Sequence, residues 1–337
     1  MKTKKLKIIQ IVLFCVLILI TIGVITIYIA MSNKSSEVVV EPITEYQGHY
    51  CFVVDDLSDE FLNVVYDEIS KQAEQEGIYV DKVGENLTGT YTLCEKLEMA
   101  IATNPKGIII EAEDSAELRN LIKNAVSEDI IVVAIVTDAP GSARQSFIGP
   151  NYYDLGKAYG LRLRELDFIG RCDVAVLLNS NLPENNRNSI IQGIVETVNT
   201  TGRYYRVDTI IVDSGTTFSV EEAVRTLVLN DSYKYDAIVA IDPKTTTYAY
   251  QALVDYNHVG DVDIVGFYVS ESVLNGIKNG NLNASVTLNP IEIGDNCVKA
   301  IKEYENYGYS SYYIPVSIET ITAKNADDFV DEITIDE

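Results

Sequence analysis

From Phe52 onward the chain alternates short runs of Val, Ile and Leu with longer stretches whose apolar residues return every three or four positions. The short runs read as strands buried on both faces, and the longer stretches as amphipathic helices. Strands separated by helices pair in parallel, and a parallel sheet needs helices over both faces. This pattern confines the chain to the α/β class. Phe52–Val54 opens the series and stops at Asp55-Asp56. Ser58 then offers an N-cap, Asp59 and Glu60 suit the positive end of a helix, and Val64, Val65, Ile69 and Ala73 recur at helical spacing up to Gly77. Strands are expected at Tyr79–Val83, Gly107–Ile110 and Ile130–Val136, with helices at Leu93–Thr103 and Ser115–Val126 between them.

A second round follows a helix at Tyr152–Leu166. It has strands at Val174–Leu178, Thr209–Val212, Ala237–Ile241, Ile264–Phe267 and Leu282–Leu288, separated by helices at Asn186–Val198, Val220–Leu229, Thr245–Val254 and Val273–Lys278. A long helix from Ile291 to about Tyr304 and an extended stretch, Tyr312–Thr322, close the pattern. Two rounds of similar length predict two doubly wound, parallel-sheet lobes. Ligands of such sheets sit beyond the carboxyl ends of the strands, so a cleft is expected where two sets of strand ends face each other.

The N-terminal end has a different character. Ile8 to Met31 is a run of 24 uncharged residues. As a helix it would extend roughly 36 Å, enough to cross a hydrocarbon core of roughly 30 Å. Lys2, Lys4, Lys5 and Lys7 precede it and should stay in the cytoplasm, which puts everything after Ser32 outside the cell. The apolar run exceeds that of a signal peptide, and bulky Tyr28 two residues before Ala30 makes a poor cleavage site. The expectation is an uncleaved single-pass anchor over residues 1–31, followed by a polar tether over 32–48. Cys15 lies in the apolar run. Cys51, Cys94, Cys172 and Cys297 are widely spaced, without a Cys-x-x-Cys pair, and read as unpaired thiols in preference to a disulfide framework.

Charge and motif content exclude several functions. The chain carries 26 Lys+Arg against 50 Asp+Glu, a net charge of −24, with four of the lysines in the first seven residues. Nucleic-acid binding needs clustered basic groups to displace counterions and is excluded. No phosphate-binding loop, Gly-x-Gly-x-x-Gly turn or Gly-x-Ser-x-Gly elbow is present. His49 and His258 stand alone, so no metal or cofactor is expected. A hydrolase working through two carboxylates stays open at this level, because acids are plentiful and sequence does not give their separation.

The expected strand ends are rich in acids and amides: Asp55 and Asp56, Glu111 with Glu113 and Asp114, Asp138, Asn179 to Asn181, and Asp242. Phe61 follows the first strand, and Tyr268 follows Phe267. Carboxylates accept from hydroxyl groups while an aromatic face covers the C–H side of a sugar ring, so the set suits a polyol. It suits an amino-bearing ligand as well. Asp59, Glu60, Glu113 and Asp114 fit equally as helix caps, and Asp59 is kept among the ligand candidates. On this reading Asp138→Ala weakens ligand binding and leaves the melting point of the free protein nearly unchanged.

Residues from about His49 to Thr322 resemble the type I periplasmic binding proteins, the sugar-binding group that includes ribose and galactose receptors. The likeness is carried by Asp55-Asp56-Leu57-Ser58-Asp59-Glu60-Phe61. It continues in Thr137-Asp138-Ala139-Pro140-Gly141-Ser142-Ala143-Arg144 with Ile148-Gly149-Pro150-Asn151-Tyr152, then Ala240-Ile241-Asp242, Val265-Gly266-Phe267 and Ile277 to Leu282. The resemblance implies two lobes joined by three crossovers, over residues 49–150 plus 289–313 and 151–288 plus 314–337. It also implies a ligand contact at Asn188, and completes the candidate set of Asp55, Asp59, Phe61, Glu111, Asp138, Asn188, Asp242 and Tyr268. Tyr268 stands where the family usually has Asp, Leu288 replaces a common Gln, and Leu62 replaces one of a pair of rings. No Trp is present, against 22 Tyr.

The expected function is that of a non-enzymatic, monomeric solute-binding domain on the extracytoplasmic face of the plasma membrane. It would pass a sugar-like ligand to the permease of an ABC importer. The alternative partner is a membrane histidine kinase, with the chain serving as its ligand sensor.

Overall fold

The computed structural model describes residues 46–200, 202–213, 217–229, 235–268 and 270–329, with Thr21 and Gly23. The apolar segment expected to anchor the chain therefore lies, but for those two residues, outside the described part. Among the described residues no helix is long and apolar enough to cross a membrane.

Two six-stranded sheets organise the chain. The first is built from β1 (Gly48–Val53), β2 (Ile78–Lys82), β3 (Gly107–Ile110), β4 (Ile131–Ile135), β5 (Ser146–Gly149) and β11 (Tyr313–Pro315), in the order β11-β5-β4-β3-β1-β2. All its pairings are parallel, with Tyr50 opposite Gly107 and Tyr313 opposite Phe147 fixing the register. The second comprises β6 (Arg171–Asn179), β7 (Tyr204–Val212), β8 (Ala237–Ala240), β9 (Asp263–Phe267), β10 (Ala284–Leu288) and β12 (Ile318–Ile321), in the order β12-β10-β9-β8-β6-β7. Only β12 runs antiparallel. The sheets belong to two lobes, and the chain crosses between them after β5, after β10 and after β11.

Helices α1 (Glu60–Gln75), α2 (Leu93–Ala102), α3 (Ala116–Ser127) and α9 (Pro290–Tyr307) cover the first sheet. Helices α4 (Tyr152–Arg164), α5 (Glu184–Asn199), α6 (Thr217–Val228), α7 (Pro243–Asp255) and α8 (Glu271–Lys278) cover the second. Strands β3, β4, β8 and β10 are buried along their whole length, as strands packed on both faces are. Cores fill both faces of each sheet, and the one formed with α1 and α9 continues across the lobe boundary to Phe267 and Leu288. Cys51, Cys94, Cys172 and Cys297 are free thiols, and all but Cys94 are buried.

Most helices start at a strand's carboxyl end under a side-chain cap. Asp59 accepts from Leu62 N, Ser115 from Leu118 N, Asn151 from Tyr153 and Asp154 N, and Asp242 from Thr245 N. Each such cap contributes about 1 kcal/mol. In lobe two, α4 and α5 meet backbone to backbone at Gly156 and Gly193. A Cβ at Gly156 would overlap the carbonyl of Ile190, and one at Gly193 the carbonyl of Tyr153. This contact sets Tyr152 and Ile190 beside the cleft.

Strands β1 and β6 begin a few residues earlier than expected, and two elements depart further from the sequence reading. No strand is expected over β5, because it is short and opens on a fully buried Ser146. β7 begins five residues earlier than expected: its first half carries Arg206 and Asp208, an ion pair on an edge strand where charged side chains reach water.

Candidate functional site

The carboxyl ends of both sheets open onto one cavity of about 550 Å³. Lobe one lines it with Asp55 and Asp56 after β1, Asp59 and Phe61 at the start of α1, and Glu111 after β3. Lobe two supplies Asn179 at the end of β6, Asp242 and Lys244 after β8, Phe267 ending β9 and Leu288 ending β10. The loop after β1 is held from behind by Lys96, almost fully buried, whose Nζ donates to the carbonyls of Val54 (3.0 Å) and Asp55 (2.8 Å). Burial lowers the pKa of this lysine. Tyr152 reaches from α4 to donate to the carbonyl of Val136, 2.9 Å away, and so ties the first crossover to the cavity wall.

The lobes also touch over the cavity through an ion pair and an aromatic contact. Lys244 Nζ stands 2.7 Å from Asp56 Oδ2, a half-exposed ion pair bridging the two jaws. Phe61 meets Phe267 edge to face, with ring centroids 5.5 Å apart, and meets Tyr268 at the same distance. Aromatic pairs of this geometry contribute about 0.5–1.5 kcal/mol beyond the area they bury. Val136 and Tyr268 both hold φ near +60°, at the ends of β4 and β9. Left-handed backbone costs a bulky residue of order 1–3 kcal/mol, and such strain collects at binding sites.

The cavity is strongly acidic. Burial and the neighbouring carboxylates of Asp59, Asp55, Asp56 and Asp242 push Glu111 up to about 8. Burial, with Asp242 and Asp56 nearby, pushes Asp59 up to about 6, against its hydrogen bond from Leu62 N. Asp242 is raised by burial in spite of its bonds from Thr245 and the charge of Lys244. Asp56 goes the other way: burial opposes it, but hydrogen bonds from Lys244 and Ser58 hold it below the usual carboxylate range. Among the described residues no three His, Cys, Asp or Glu side chains converge tightly enough to hold a metal ion.

Of the residues singled out from sequence, Asp55, Asp59, Phe61, Glu111 and Asp242 line the cavity together. Asp59 and Asp242 are helix caps as well, so the capping and ligand-facing roles coincide. The other three are placed elsewhere. Asp138 forms a two-pronged ion pair with Arg144, which also donates to the carbonyl of Tyr312 (3.0 Å) and lies over its ring. That pair is buried and fastens the loop after β4 to the edge strand β11. Asn188 is exposed on α5, and Asn186, two residues earlier, is the one that hydrogen-bonds Tyr152. Tyr268 packs behind Phe61, its carbonyl accepting from Ser285 Oγ. Sequence reasoning missed Lys244 and Lys96. The Asp242-Pro243-Lys244 turn gave a signal for the first, since a Pro at N1 aims the next side chain from the helix start; nothing local marks the second.

Two α/β lobes with a solute-sized polar cleft at their facing strand ends define a cleft-type binding protein. The sequence matches the family described as periplasmic binding protein domain over residues 50–308, and the chain belongs to that family. No curated protein matches it. Among solved structures it is similar to GanP, a glucose-galactose binding protein from Geobacillus stearothermophilus (TM-score 0.71, 22% identity, 82% of this chain and 98% of that one). It is similar also to AraP, an arabinose binding protein from the same organism (0.68, 22%, 84% and 99%). A third match is a chain of the XylFII-LytSN complex (0.69, 19%, 82% and 98%). At these identities the structures share the fold. The two Geobacillus relatives are described as binding proteins.

Proposed function

We propose that the chain captures a small sugar-like solute between its lobes, on the outer face of the plasma membrane, and delivers it to an ABC importer. The observation that carries this reading is the single cavity to which both lobes bring acceptors, Asp55, Asp59 and Glu111 on one side and Asp242 on the other, beside the Phe61–Phe267 aromatic wall. A solute bonded to both rims favours the closed arrangement by its differential affinity for it. The relatives' sugar ligands and the polyol-compatible donors and acceptors support the solute class. The uncharged run Ile8–Met31, with lysines before it, supports a single-pass anchor that keeps a monomeric binding domain at the membrane. Asp55, Asp59, Phe61, Glu111 and Asp242 are the proposed ligand contacts.

Melting the full chain in detergent against a panel of mono- and disaccharides tests this. A true ligand at 100 times its dissociation constant stabilises by about 2.7 kcal/mol; a panel with no stabiliser overturns the proposal. A second reading, a sensor that reports occupancy to a membrane kinase, is favoured by the match to a chain of the XylFII-LytSN complex. Co-purification from membranes separates the two: permease and ATPase subunits support import, a histidine kinase supports sensing.

A further inference from the structure

We infer that the solute carries a protonated amine: among sugar-like molecules, this cavity is built for an amino sugar. The inference rests on the proposed capture function and names the chemistry of its ligand.

The balance of charge comes first. Among the described residues six carboxylates line the cavity, Asp55, Asp56, Asp59, Glu111, Glu113 and Asp242, against a single cation, Lys244. Lys244 is already committed to Asp56. A neutral ligand that displaced the cavity water would remove the screening between these acids and supply nothing in its place. An ammonium supplies the missing charge.

The balance of donors and acceptors points the same way. Three of the hydroxyls at the wall spend their protons inside the protein: Ser58 on Asp56, Tyr152 on the carbonyl of Val136, and Thr137 on the carbonyl of Ala112. The carboxylates keep open lone pairs. Glu111 is half-buried at the cavity wall, and among the described residues no group hydrogen-bonds its carboxylate. An ionised carboxylate only accepts, and an ammonium offers three donors and no acceptor. Burial and the surrounding carboxylates push the pKa of Glu111 up to about 8, so its proton sits where a cation would be favoured. An arriving ammonium would take the place of that proton. The apolar wall of Phe61, Phe267 and Leu288 suits the carbon skeleton of an amino sugar.

The test compares hydroxyl and amine at one position of one skeleton. Calorimetric titration of the full chain in detergent, at about pH 6.5 where such amines are protonated, uses glucose and galactose against their 2-, 3-, 4- and 6-amino counterparts. We expect at least one amine to bind tenfold or more tightly than its hydroxyl parent, and Glu111→Gln to cut that preference at least fivefold. Asp55→Asn, in an exposed loop, gives the same reading should the first variant fold poorly. Parents that bind as tightly as the amines in every pair would overturn the inference and leave solute capture standing. Silence from every compound would overturn both.

Discussion

Glu111→Gln should make the ligand-free protein more stable, and only at neutral and alkaline pH. Burial and four neighbouring carboxylates raise the folded pKa of Glu111 to about 8, whereas in the unfolded chain the group ionises at its ordinary value of 4.5. Below pH 4.5 both states hold the proton and the group costs nothing. As pH rises from 4.5 towards 8, the unfolded chain releases its proton and the folded protein keeps it, so stability falls across that window. At 1.36 kcal/mol per unit the loss by pH 7 is about 3 kcal/mol. Glutamine keeps the shape and removes the titration. For a domain of this size the loss of about 4 kcal/mol by pH 8 corresponds to an expected gain in melting temperature of about 8 °C there, with parent and variant nearly equal at pH 5. Circular-dichroism melts of ligand-free protein at pH 5, 6.5 and 8 read this directly. Equal melting temperatures at pH 8, or an offset that does not vary with pH, would refute the picture of an uncompensated acid enclosed by its neighbours.

Other substitutions separate support from binding. Asp138→Ala should cost about 3–5 kcal/mol of stability by stranding the buried Arg144 guanidinium, while the ligand affinity of the protein that remains folded is unchanged; urea titration and calorimetry read the two effects. Gly156→Ala drives a methyl into the carbonyl of Ile190 and should destabilise by about 1–3 kcal/mol or more in urea unfolding. Asp242→Ala removes the α7 cap at about 1 kcal/mol and a cavity acceptor, so both the melting point and the affinity should drop. Lys244→Gln breaks the bridge between the jaws; the pair is part-exposed, so the effect is at most about 1 kcal/mol, seen as a larger radius of gyration for the ligand-free protein in X-ray scattering.

The fold was legible because its signals are local and repeated. Continuous Val/Ile runs such as Gly107–Ile110 and Ile131–Ile135 sit in the middle of a sheet, where burial on both faces leaves no room for another pattern. Edge and short strands were harder: the edge strand β7 mixes charge with apolar residues because one side meets water, and the short β5 opens on a serine whose burial depends on the carbonyl of Ser311, far along the chain. The site divided along a similar line. Asp55, Glu111 and Asp242 were found by one rule, polar residues just beyond a strand's carboxyl end. The same rule brought in Asp138, whose carboxylate Arg144, six residues on, folds back to claim. Strand-end position places a Cα near the cleft, while the direction of a side chain depends on which opposite charge the loop returns to it. Lys96 illustrates the converse: it is a helix residue with no motif, and its position matters only once β1 and α2 are packed together.

A crystal structure of the chain grown with its tightest-binding solute tests the central claim most directly. The account predicts density for one small molecule between the two sheets, with donors within hydrogen-bond distance of Glu111 from lobe one and Asp242 from lobe two at once. Density on a single lobe, or anywhere outside the space between the strand ends, would contradict it.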